Sequence, residues 1–225
     1  RAAALLKERY SVTRGVDIHV EKRIPIGSGL GGPSSNAATV LRSLVELWGL
    51  TVDEKELFDM GMSIGADVPL FLYGKPCIME GIGERITPVS LPPMWFVIVY
   101  PGVIMKASDV YRGLRIVLTK EENEVKVRRK FEVIQDVADI LENDLEHVSI
   151  IMCPQISSVK EALIEAGALG ALMSGSGSSV FGIFSGGKEA EQASLRIIHK
   201  GSVFTAQSLE KEGGYGDHRC EGVSG

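Results

Sequence analysis

Three short stretches of this chain hold the residues best able to do chemistry. The first, "IPIGSGLGGPSSNAA" over 24–38, packs four glycines into six positions and follows them with a proline and two serines. Glycine lets a backbone come close to a phosphate, and a helix N-terminus after it supplies unpaired N–H groups and a favourable dipole. Ser34 and Ser35 add hydroxyls at that end. Gly27, Gly29 and Gly32 formally match G-x-G-x-x-G. A dinucleotide site, however, also needs an acid about 20 residues later at a strand end. Asp53 has that separation but falls at a helix start, and no Lys-Ser or Lys-Thr closes a Walker loop. A phosphate cradle and a plain strand-to-helix turn both stay open on these residues alone.

The second stretch is "SGSGSS" over 174–179, flanked by two apparent strands. Its small residues could hold an anion or admit another backbone, and a hairpin turn is the simpler reading by itself. The third is "GADVPLF", centred on Asp67. That carboxylate could accept the proton of a substrate hydroxyl. On spacing alone a turn-forming or capping aspartate explains it better.

These stretches need elements to carry them. The chain opens on a helix with Ala3, Leu5, Leu6 and Tyr10 on one face. Val16, Ile18 and Val20 alternate as a strand should, leading into the glycine loop. A strong helix follows, with Pro33 at its first position, Ala37, Leu41, Leu44, Val45 and Trp48 on its apolar face, and Gly49 at its end. "TVDEKELFDMGMSI" predicts a second helix opened by a Thr51–Glu54 capping box. From Gly65 to Val89 a loop, short strands and turns are expected, and "SLPP" over 90–93 is the best domain junction. "WFVIVYP" is a buried strand, 119–130 a charged helix or connection, and "SSVKEALIEAG" a helix closed by Gly167. "ALMSGSGSSVFGIFS" reads as strand, loop and strand, then the helix "KEAEQASLRIIHK" and the strand "SVFTAQSL".

Composition narrows the function classes. The 225 residues are 44% hydrophobic and 24% charged, which suits a packed globular chain. A net charge of −5 argues against a broad grip on nucleic acid. The most apolar window, "MWFVIVYPGVIM", is too short and too broken to span a bilayer. Cys77, Cys153 and Cys220 are odd in number and far apart, and with His19, His147, His199 and His218 they show no metal-ligand spacing. That cysteine usage points to a reducing, cytoplasmic setting. No initiator Met precedes the first helix, so N-terminal sequence, with any targeting peptide, is expected before Arg1.

Taken in order, "IPIGSGLGGPSSNAA", "GADVPLF" with its sequel "MEGIGERITPV", and "MSGSGSSVF" resemble the GHMP kinase superfamily of small-molecule kinases. The likeness runs from Arg1 to Leu209 and is greatest to the branch acting on a cytidine diphosphate-linked methylerythritol, in the non-mevalonate route to isoprenoids. It implies an α/β (α+β) fold of two domains with the active site between them. Residues 1–89 would be the remainder of the N-terminal, ATP-binding domain, 90–209 the C-terminal domain, and 210–225 a flexible tail. It further implies that Gly27, Ser28, Gly29, Leu30, Gly31, Gly32, Ser34 and Ser35 wrap the ATP phosphates. Lys22 would border the nucleotide, and Gly175, Ser176 and Gly177, in a motif reaching Ser178, would lie close to the phosphates and substrate. Asp67 would be the catalytic base and touch the substrate, Tyr111 would pack on the cytosine, and Mg²⁺ would accompany ATP on unassigned ligands. The implied partners are ATP and that small molecule, without nucleic acid or membrane, in a monomer or homodimer. Kinases of homoserine, mevalonate or a sugar, and a non-catalytic nucleotide-binding fragment, are the alternatives.

Two departures stand out. Pro33 replaces a frequent further glycine, and it is compatible with a helix start. No "PAK(I/L)N"-type or "GYH" segment occurs, and in the family these supply a catalytic lysine and part of the cytidine pocket. A fragment lacking them is expected to be inactive.

Overall fold

The computed structural model describes residues 1–114 and 130–209. The charged connection expected over 119–130 lies outside them apart from Lys130, as does the tail over 210–225. The described residues fall into two compact units. Arg1–Ile18 and Pro33–Pro88 belong to one, while His19–Gly32 and Val89–Ser208 belong to the other.

The first unit is built on helices α1 (Ala2–Arg9), α2 (Gly32–Trp48), α3 (Glu54–Ile64) and α4 (Val68–Tyr73), with a hairpin of β1 (Cys77–Glu80) and β2 (Arg85–Pro88). The helical spacing of Leu41, Leu44 and Trp48 puts all three on the buried face of α2, against Leu6, Leu57, Met60, Val68 and Leu72. Pro33 is the second residue of α2, where a missing N–H costs nothing. Gly49 ends the helix at φ +63°.

The second unit holds one antiparallel sheet in the order β4 (Gly170–Met173), β5 (Val180–Phe184), β3 (Trp95–Tyr100), β6 (Ser202–Gln207). Alternation along β3 sends Val97 and Val99 to one face, with Val180 and Phe184 of β5 beside them. Helices α8 (Gln155–Glu165) and α9 (Gly187–Ile197) cover that face through Ile156, Val159, Leu163, Ala190, Ala193 and Ile197. On the other face, Phe96 and Phe181 meet edge-on at 6.0 Å beside Met94, Phe131, Val137 and Ile183. Three shorter helices complete the unit: α5 (Ala107–Gly113), α6 (Ile134–Ala138) and α7 (Glu146–Met152).

The structure corrects the sequence reading in three places. Val16–Val20 forms no strand: among the described residues nothing pairs with its N–H and C=O groups, and Ile18 and Val20 stay 47% and 43% exposed. Alternation marks a segment able to pair, and a strand also needs a neighbour. The cap of α3 is Asp53, whose side chain accepts from the Glu56 N–H at 2.7 Å, in place of a Thr51–Glu54 box. "VPLFLY" is the helix α4, opened with Pro69 near its start and closed by Gly74 at φ +69°, where a loop and strands were expected.

Candidate active site

The two glycine-rich stretches meet within the second unit. The "SGSGSS" segment is the turn of the β4–β5 hairpin, closed by the Ser174 N–H donating to the Ser179 carbonyl at 2.9 Å. Its residues grip the first loop. Ser174 Oγ donates to the Gly29 carbonyl at 3.0 Å, and the Ser179 N–H donates to the Ser28 carbonyl at 3.0 Å. From another side, the Met105 N–H donates to the Gly27 carbonyl at 3.2 Å. The approach is so close that a Cβ on Gly29 would lie 2.2 Å from the Ser174 carbonyl oxygen. Gly27, Gly29 and Gly31 all have positive φ, +66°, +78° and +65°.

The consequence is a division of polar groups. Three consecutive carbonyls, of Gly27, Ser28 and Gly29, are occupied by donors from neighbouring segments. The N–H groups of residues 27–31 have no acceptor among the described residues. A backbone whose acceptors face protein and whose donors stay free suits an anion. A plain turn would spend its N–H groups on its own carbonyls. Gly32 then opens α2, and Ser34 and Ser35 are half-buried in its first turn. A helix of 17 residues has a developed dipole, positive at that end. Ser178 and Ser179 are fully buried, and Ser179 Oγ has no partner among the described residues. An unpaired buried hydroxyl costs about 1–3 kcal/mol, a cost more often found near functional sites.

Asp67 lies in the first unit, at the N-cap position of α4, and its side chain makes no capping bond. Asp53 shows why. A capping aspartate needs extended backbone so that its carboxylate can turn back onto the helix N–H groups. Asp53 has it, at φ −74° and ψ 159°. Asp67 has φ −86° and ψ −9°, and Pro69 removes one of the donors it would have used. Its carboxylate is exposed, with no hydrogen bond or ion pair among the described residues. The capping reading is therefore corrected: Asp67 holds an uncommitted carboxylate. Its backbone is held from behind, since a Cβ on Gly83, in the β1–β2 turn, would lie 2.6 Å from the Ala66 carbonyl oxygen.

The remaining candidates are on the surface of the second unit. Lys22 is exposed and has no ion pair among the described residues. Tyr111 is 61% exposed on α5, a helix that starts two residues after Met105, the donor to Gly27. Sequence reasoning missed the residues that fasten the second loop. Asn143 Nδ2 donates to the Met173 and Gly175 carbonyls, and Ser149 Oγ donates to the Ser176 carbonyl. The available signal was "ND" just before an apolar-periodic run, a pattern of helix entry. The free thiols Cys77 and Cys153 lie elsewhere, and burial pushes both up from the usual thiol range.

Comparison with known proteins shows the family and the fold. Residues 1–75 match the GHMP kinases N terminal domain and residues 127–202 match GHMP kinases C terminal. The 4-diphosphocytidyl-2-C-methyl-D-erythritol kinase of Geobacter metallireducens is 45% identical over 205 residues, covering 91% of this chain and 72% of the relative. That of Geobacter sulfurreducens is 46% identical over 197 residues, covering 87% and 68%. A crystal structure of 4-(cytidine 5'-diphospho)-2C-methyl-D-erythritol kinase superposes with a TM-score of 0.76 at 36% identity, covering 92% of this chain and 75% of that one. Homoserine kinase from Cytophaga hutchinsonii shares the fold, with a TM-score of 0.69 at 20% identity over 92% of this chain and 73% of that one.

Proposed function

This chain belongs to the GHMP kinase family, whose members are ATP-dependent phosphotransferases, and from that premise we propose its reaction: transfer of the γ-phosphoryl group of ATP to the 2-hydroxyl of 4-diphosphocytidyl-2-C-methyl-D-erythritol. The products are ADP and a phosphate monoester, in the synthesis of isoprenoid precursors. The observation that carries this reading is the division of polar groups in the glycine loop, with three carbonyls taken and five successive N–H groups, of residues 27–31, left as donors.

Phosphoryl transfer asks a protein for position and for compensation of charge. The N–H groups of Gly27, Ser28, Gly29, Leu30 and Gly31 supply the donors for phosphate oxygens. Gly32 and the dipole of α2 continue that positive end, with Ser34 and Ser35 in its first turn. Lys22 borders the nucleotide as a point charge, and Gly175, Ser176 and Gly177 face the group in transfer. Asp67 orients the acceptor hydroxyl and takes its proton, a role its uncommitted carboxylate suits. Tyr111 offers an exposed ring for the cytosine to stack on. Among the described residues no three His, Cys, Asp or Glu side chains gather as a metal cage. A Mg²⁺ accompanying ATP would find a Ser34 or Ser35 hydroxyl, in the first turn of α2, as its protein contact. When bound, Mg²⁺ offsets charge on the phosphate oxygens.

The test is substrate-dependent ADP release by the full-length protein and its Asp67→Asn variant. The variant is expected to lose about 10²–10⁴-fold in kcat. Turnover near that of the wild type would remove Asp67 from the role of base.

A further inference from the structure

The segment "ENDLEHVSI" over 142–150 has no part in the chemistry so far, yet three of its side chains converge on the 173–176 backbone. Asn143 spends both amide hydrogens there, Nδ2 donating to the Met173 carbonyl at 2.9 Å and to the Gly175 carbonyl at 2.8 Å. Its own oxygen accepts the Leu145 N–H at 3.0 Å, which fixes the amide's orientation as well as its place. Glu146 Oε2 accepts the Met173 N–H at 3.0 Å, while Oε1 is paired with Lys160. One turn later on α7, the fully buried Ser149 donates through Oγ to the Ser176 carbonyl at 3.3 Å. Positions three apart share a helix face, which is why Glu146 and Ser149 can reach the same strand end.

The effect on the loop repeats the pattern of the first glycine stretch. The carbonyls of Gly175 and Ser176 are turned toward Asn143 and Ser149, and the N–H groups of Gly175, Ser176 and Ser178 have no acceptor among the described residues. A peptide plane is rigid, so holding a carbonyl on one side aims the following N–H to the other. We propose that Asn143, with Ser149, is a positioning residue: together they set the peptide planes after Gly175 and Ser176, so that the Ser176 N–H, beside those of Gly175 and Ser178, faces the phosphoryl group in transfer while the Gly177 N–H closes the turn on the Ser174 carbonyl. This rests on the kinase reading above. Glu146 fastens the strand end that Asn143 works from.

Asn143→Asp keeps the shape but sets carboxylate oxygens against two carbonyl oxygens, so the planes must turn. Ser149→Ala removes a single bond and serves if the first variant does not fold. Two readouts are taken on the full-length protein, steady-state kinetics with ATP and hydrogen exchange of the hydrogen-bonded amides of Ser174, Gly177 and Ser179, which close this loop. Donors that act mainly on the transition state lower kcat and leave KM alone. The expected result for Asn143→Asp is a kcat lower by about 10–100-fold, of the order expected when a group is misplaced by an ångström. KM for ATP stays within about threefold, and the Ser174, Gly177 and Ser179 amides exchange faster. Ser149→Ala shows the same split at smaller size. A variant with a lowered melting temperature but wild-type kcat per folded molecule would overturn the proposal, as would unchanged exchange of the Ser174, Gly177 and Ser179 amides. If the wild type turned over no substrate, the kinase reading would fall, while the exchange result would still decide whether Asn143 orders this loop.

Discussion

Gly29 has no room for a side chain and no conformation that would welcome one. Its φ is +78°, and a Cβ would stand 2.2 Å from the Ser174 carbonyl oxygen and 2.9 Å from that of Gly177. Any side chain must push the two glycine-rich loops apart, which would misplace the free N–H groups of both. Gly29→Ala is therefore expected to raise KM for ATP by tenfold or more, about 1.4 kcal/mol of binding, and to lower stability by about 1–3 kcal/mol. ATP titration and thermal melting of the variant measure the two effects, and unchanged ATP binding would mean the loop has slack the geometry denies. At this scale the sequence was informative about residue type and poor on commitment. Asp53 and Asp67 both precede helices in "VDEKE" and "ADVPL", and only the backbone angles separate the one that caps from the one left free. Asn143 was illegible for the same reason, because its partners are carbonyls of 173 and 175, brought near only by the fold.

Among the elements, α1 is fastened to α3 by a polar cluster. Glu56 accepts hydrogen bonds from Tyr10 and Arg9, and these hold its carboxyl below the ordinary glutamate range, Tyr10 contributing most. Burial, followed by the bond to Glu56, raises the Tyr10 hydroxyl. A carboxyl whose folded pKa lies below its unfolded value adds stability above the unfolded pKa and loses it as the pH falls through the folded one. The wild type should thus lose melting temperature on acidification below about pH 5, more steeply than Glu56→Gln, whose curve starts lower near neutrality and stays flatter. Parallel curves for the two proteins would show that the cluster does not link α1 to α3. Helices with strong periodicity, such as α2 and α8, were readable because their own residues decide both face and ends. Val16–Val20 was misread because pairing depends on a partner strand, which alternation within one segment cannot report. The six-residue α4 and seven-residue α7 are too short for a period to show.

At the scale of the molecule, the mixed fold and the kinase family were legible because three motifs occur in one order along the chain, each weak by itself. No helix among the described residues is long and apolar enough to cross a membrane. Shared fold does not choose the substrate, as the homoserine kinase likeness at 20% identity makes plain. The choice rests on relatives at 45% and 46% identity, and the stacking of a base on Tyr111 remains a proposal of this reading. The decisive measurement is ATP-dependent phosphorylation by the full-length protein of 4-diphosphocytidyl-2-C-methyl-D-erythritol, homoserine, mevalonate and a sugar, compared as kcat/KM. The account predicts a preference of at least about 10²-fold for the cytidine-bearing substrate, since a stacked base and its polar edge contribute several kcal/mol of discrimination. A higher kcat/KM for any substrate without cytidine would contradict it.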